Sequence, residues 1–195
     1  MAIGVLGNGL LDSEHHEDAL SVYESQLSMQ RRLGANEKSI LGTQSNLAVT
    51  YQVLGRNEEA LRIQRDLYSG HVKLDGVEHE NTLIAANNYA DSLNSLKRFE
   101  EAKSLSRKTL PMARRVLGET HILTLRLRWN YAAALINASG ATIDDLREAV
   151  TTLEDTECIA RRVLGGAHPL TMGLEIKLQH SQAALRAREA PSASA

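Results

Sequence analysis

The chain has 195 residues, 43% hydrophobic and 24% charged, the balance of a folded protein rather than a disordered one. A formal net charge of −2, with Lys and Arg scattered, gives no basic block to suit nucleic acid. One cysteine, Cys158, excludes a disulfide framework and a thiolate metal cluster, and fits a reducing, cytoplasmic compartment.

The first predicted helix covers roughly residues 1–13. Its run from Met1 to Leu11 is apolar, carries no Lys or Arg, and is too short for a bilayer. No later run reaches membrane length, so no membrane partner is expected. Gly4-Val5-Leu6-Gly7-Asn8-Gly9 imitates part of a dinucleotide fingerprint. Read from Gly7, however, that motif requires glycine where Asp12 stands, and no ribose-binding acid on a strand follows. A glycine-softened helix and no cofactor are the expectation. His15-His16 then fall in a turn; their adjacent spacing does not suit a metal pair on one helix face.

Further helices are predicted at 17–33, 38–54, 57–74, 80–96, 99–117, 122–138, 144–164 and 169–189, from apolar residues recurring at helical spacing. Within them, Asn46-Leu47-Ala48, Asn88-Tyr89-Ala90 and Asn130-Tyr131-Ala132 are 42 residues apart. Glu59-Ala60 and Glu101-Ala102 keep the same interval, and Glu148-Ala149 follows after 47 residues. A fixed period in this range marks stacked units that build their core between neighbours. Each unit reads as two antiparallel helices, and the recurring alanines allow backbones to approach within roughly 8–9 Å. The five extra residues of the last unit are expected near Ser139-Gly140-Ala141-Thr142, lengthening the turn between its helices. Pro111, inside a predicted helix, is expected to kink it.

Leu117-Gly118-Glu119-Thr120-His121 and Leu164-Gly165-Gly166-Ala167-His168-Pro169 repeat a linker, with Asp75-Gly76-Val77-Glu78-His79 a degenerate copy. With the 42-residue period, these stretches resemble the tetratricopeptide repeat, in the longer subtype of the kinesin light chains. The resemblance implies an all-α, right-handed α-solenoid of about four antiparallel helix pairs plus a closing helix. The domain would span 1–190, with units at roughly 1–37, 38–79, 80–121 and 122–168, a closing helix at 169–189 and a disordered tail at 191–195. Aligning Ala19 with Ala60 puts Met1 inside a helical turn, so either translation begins there or the chain is a piece of a longer protein.

The resemblance also implies that the first helix of each pair lines a concave groove. Counted from the small positions, the groove-facing residues are Ser45, Val49 and Gln52, then Asn87, Asp91 and Asn94, then Trp129, Ala133 and Ile136, with Ile176 and His180 from the closing helix. This surface runs from polar to apolar. Asn46, Asn88 and Asn130 are expected to bridge neighbouring units. The alternatives for Trp129 are an interface anchor and a cover for the last repeat interface. His79, His121 and His168 read as linker organisers. The pairs Arg31-Arg32, Arg114-Arg115 and Arg161-Arg162 complement helix C-termini. Cys158 reads as a small core residue. No carboxylate pair or Ser/His/Asp set stands out, so no catalytic or metal residue is assigned. The expected function is a scaffold that binds a protein, as a peptide or partner helix, in the groove. The alternative is a regulatory repeat segment of a larger signalling ATPase or kinesin cargo adaptor.

Overall fold

The computed structural model describes residues 2–189. Among them are nine α-helices: α1 Ala2–Asp12, α2 His16–Arg32, α3 Glu37–Val53, α4 Asn57–Asp75, α5 Glu80–Ser95, α6 Phe99–Leu117, α7 Ile122–Asn137, α8 Ile143–Leu164 and α9 Pro169–Glu189. Each agrees with its predicted range to within about one residue at either end. The predicted tail at 191–195 and the placement of Met1 lie outside the described residues.

The chain divides into two compact units, one ending at Val77 and the other beginning at Glu78. In the first, α1 packs on α2, α2 on α3 and α3 on α4. Its core gathers Ala19, Leu20, Tyr23, Leu47, Tyr51 and Ala60, with Leu41, Ala48 and Leu67 beside them. In the second, α5 packs on α6, α6 on α7, α7 on α8 and α8 on α9, while α7 also touches α5 and α9. Its largest cluster includes Leu125, Leu135, Leu153 and Leu174. The periodic alanines Ala48, Ala60, Ala90, Ala102, Ala132 and Ala149 are all 0% exposed. They stand where the helices approach, as their period predicts.

Glycine does the same work at two further crossings. A Cβ on Gly7 would lie 2.5 Å from Cζ of Tyr23, and one on Gly70 would lie 2.7 Å from Cδ2 of Leu41. Contact with Tyr23 therefore accounts for Gly7 in the fingerprint-like stretch of α1.

Two turn designs recur. Inside the first three pairs the turn holds one residue of left-handed backbone: Gly55 at φ 72°, but Lys97 at φ 60° and Glu14 at φ 62°. Between pairs, Gly76, Gly118 and Gly165 end their helices at φ near 88°. Three residues on, a histidine caps the next helix. Nδ1 of His79 accepts the Asn81 N–H at 3.1 Å, that of His121 the Leu123 N–H at 3.2 Å, and that of His168 the Leu170 N–H at 3.1 Å. This satisfies one of the orphan donors of each helix N-terminus and explains the recurring Gly-x-x-His. α6 continues through Pro111 to Leu117.

The extra residues of the last pair do not all enter the turn. The turn grows from Leu96–Arg98 to Ala138–Thr142, and α8 is 22 residues long against 19 for α6. The helix takes up the remainder as an added N-terminal turn. A capping box stabilises that start: the Asp145 N–H donates to Thr142 Oγ1 at 3.0 Å, and the Thr142 N–H donates to Asp145 Oδ2 at 3.0 Å.

Candidate functional site

The second unit carries a groove of about 570 Å³. α5 supplies Asn87, Asn88 and Asp91; α7 supplies Arg126, Trp129 and Asn130; His168, Pro169 and Leu170 close it at the start of α9. Of the sequence-predicted residues, it brings together Asn87, Asp91 and Trp129. Arg126, His168, Pro169 and Leu170 were missed as groove residues. Arg126 was legible, because it lies three residues before Trp129 on one helical stripe. The α9 residues were not, because only the packing of α9 brings them over α7.

The asparagines are largely used by the fold. Asn130 Nδ2 donates to the Asn87 backbone O at 3.4 Å and to its Oδ1 at 3.2 Å. Asn94 Nδ2 donates to the Asn130 backbone O at 3.0 Å. Asn87 and Asn130 are 7% and 5% exposed. They lock α5 to α7, so the bridging role holds for Asn130 and takes in Asn87 and Asn94, which were assigned to the groove face. In the first unit Asn46 Nδ2 similarly donates to Asn8 Oδ1 at 3.4 Å.

The open groove chemistry lies on Asp91, Arg126 and Trp129. Asp91 and Arg126 are both solvent-accessible. The groove walls nonetheless strip water from the Asp91 carboxyl and raise its pKa, while the nearby Arg126 charge opposes the shift. Trp129 is half-buried and packs against the core cluster. A Cβ on Gly173 of α9 would lie 2.6 Å from its Cη2 atom, so the indole rests directly on that glycine. Trp129 thus covers the α7–α9 contact and also lines the groove.

The remaining assigned residues scatter. Ser45 and Val49 are exposed on α3, with Gln52 half-exposed, all in the first unit. Ala133 is buried, and Ile136 packs against the core cluster. The expected apolar end is therefore largely drawn inward, because α7 is covered by α5, α6, α8 and α9. Ile176 and His180 are exposed on α9, outside the groove lining.

A second cleft, about 290 Å³, is bounded by Arg114, Glu119, Arg128, Asp155, Cys158, Ile159 and Arg162. Arg128 is 8% exposed and bonds Glu119 at 3.4 Å and Asp155 at 3.3 Å, so its buried charge is answered from two sides. Cys158 is exposed, contrary to its reading as a core residue. Ala149, Leu153, Thr156 and Ala160 form the buried stripe of α8, and a residue two places beyond Thr156 points away from it. The terminal arginines make ion pairs as well as facing helix ends: Arg114 with Glu119, Arg115 with Glu78, Arg161 with Glu157 and Glu175. Among the described residues, no three His, Cys, Asp or Glu side chains converge to hold a metal ion, and no helix is long and apolar enough to cross a membrane.

The structure is similar to crystal structures of the nearly identical TPR-like repeats of a kinesin light chain-type protein of Podosopora anserina. One has TM-score 0.76 and 20% identity, covering 96% of this chain and 94% of that one. Another has TM-score 0.73 and 21% identity, covering 98% and 96%. It is also similar to BtubC (BKLC) from P. vanneervenii, at TM-score 0.57 and 17% identity, covering 99% and 84%. These likenesses show the fold, an all-α repeat of antiparallel helix pairs. No curated protein matches the sequence. The family model for the tetratricopeptide repeat matches residues 39–114 and 81–140, which together span more than half of the chain. Repeats of this kind generally mediate protein–protein interaction and are typically non-catalytic. The chain belongs to the tetratricopeptide repeat family.

Proposed function

We propose that this chain is a non-enzymatic, cytoplasmic interaction module that binds a partner protein through an extended peptide in the groove of its second unit. The observation that carries the reading is the groove itself. A half-buried indole, an exposed carboxylate and an exposed guanidinium stand together in a groove of about 570 Å³. A large amphipathic ring beside fixed charges is a usual composition for an interface anchor. Ile176 and His180, exposed on α9 of the same unit, would extend the contact.

The test compares proteins retained by the wild-type chain with those retained by Trp129→Phe and Arg126→Gln variants, each checked for unchanged helical circular dichroism. A partner bound through the groove is lost or weakened in the variants. Retention of every partner by both folded variants would move the interaction elsewhere.

A further inference from the structure

We propose that the groove selects a peptide segment bearing a lysine or arginine, which it seats on Asp91 beside Trp129. The inference rests on the reading of the groove as a peptide site, and adds the chemistry of the residue that it selects.

Most polar side chains of the groove are already used by the fold. Asn87 and Asn130 bond each other across the helix contact, and Asn94 is held by the backbone of Asn130. His168 has its Nδ1 committed to the cap of α9. Asp91 differs from all of these. No hydrogen bond or ion pair joins it to another side chain among the described residues, and Arg126 acts on it only through space. A carboxylate that faces a groove without a direct partner is open to an arriving ammonium or guanidinium.

Arg126 makes the groove dipolar, and an acidic side chain is the competing occupant. Both charges are solvent-accessible, so the ring beside them decides. An indole face attracts a cation and not an anion, which sets the preference for the cation. Trp129 lines the same groove, and its ring face can take the aliphatic stem or the charge of that side chain.

The test uses the full chain and three pools of short, blocked, degenerate peptides that differ at one central position: lysine, norleucine or glutamate. Binding is read by anisotropy of the labelled pools and by emission of Trp129, the chain's only tryptophan. The lysine pool is expected to bind about tenfold tighter than the norleucine pool, corresponding to about 1.4 kcal/mol. Asp91→Asn should remove that preference by weakening the lysine pool to the level of the norleucine pool, with the melting temperature no lower than in the wild type. Tightest binding of the glutamate pool, or a lysine preference that survives Asp91→Asn, would overturn the inference and leave the peptide reading intact. Absence of binding by every pool, with Trp129 emission unmoved, would overturn both.

Discussion

Two carboxylates of the second unit respond to acid with opposite sign. The Lys103 ammonium, 2.5 Å away, and the Thr142 cap hold Asp145 down to about 2. Its contribution is present above the ordinary carboxylate value and is lost as pH falls toward about 2. Asp145→Asn should therefore melt lower than the wild type at pH 6, with the gap narrowing as pH is taken down to about 2. Partial desolvation by the groove walls raises Asp91, so its charged form slightly disfavours the folded state at neutral pH and protonation relieves that penalty. Asp91→Asn should melt slightly higher at neutral pH, an advantage that disappears in acid. Calorimetric melts across pH check both. The intra-pair turn offers a third test. Lys97 holds the left-handed backbone that Gly55 supplies in the preceding pair. Such a conformation costs a non-glycine residue about 1 kcal/mol, so Lys97→Gly should raise the melting temperature.

Helix crossings depend on small residues, and two substitutions probe them. Ala90 is 0% exposed on α5, and Ala90→Leu should overpack its crossing, at a cost of about 1–3 kcal/mol by denaturant unfolding. An unchanged midpoint would mean that α5 can rotate or shift to accept the added volume. At the α7–α9 crossing, Gly173→Ala should press on the Trp129 ring. The expected result is a lower melting temperature together with a red shift of tryptophan emission as the indole gains water. The longer α8 shows how a repeat absorbs extra sequence. Three residues added as a helical turn keep Ala149 in register, and Asp145 on that turn gains the Lys103 contact.

The two compact units make different contributions to the proposed function. The first is organised around Tyr23 and Tyr51; burial together with the bond to Glu24 pushes the Tyr51 phenol up to about 12. The second holds the groove. Trp129→Ala should weaken partner binding by roughly thirtyfold, since an aromatic anchor can carry about 2 kcal/mol. Titration calorimetry with the partner measures this. Because the same ring covers Gly173, the variant should also melt at a lower temperature while keeping its helical spectrum. Unchanged affinity in the folded variant would leave Trp129 as a covering residue alone.

The sequence by itself determined the local structure. Helix bounds follow from the apolar period, the left-handed glycines and the capping histidines, which act within a few residues of chain. The 42-residue period also fixed the small crossing positions, because each must recur wherever a crossing recurs. What tertiary structure decided was the fate of side chains that face a neighbour. Asn87 and Asn94 looked available by helical position, yet the approach of α7 uses them; Ala133 and Ile136 were drawn inward because α5, α6, α8 and α9 all pack on α7. His168, Pro169 and Leu170 enter the groove only through the placement of α9. Cys158 fell outside the core because α8 buries the stripe through Leu153 and Ala160. Periodicity states that a helix has faces, but only the packing of its neighbours states which faces are covered.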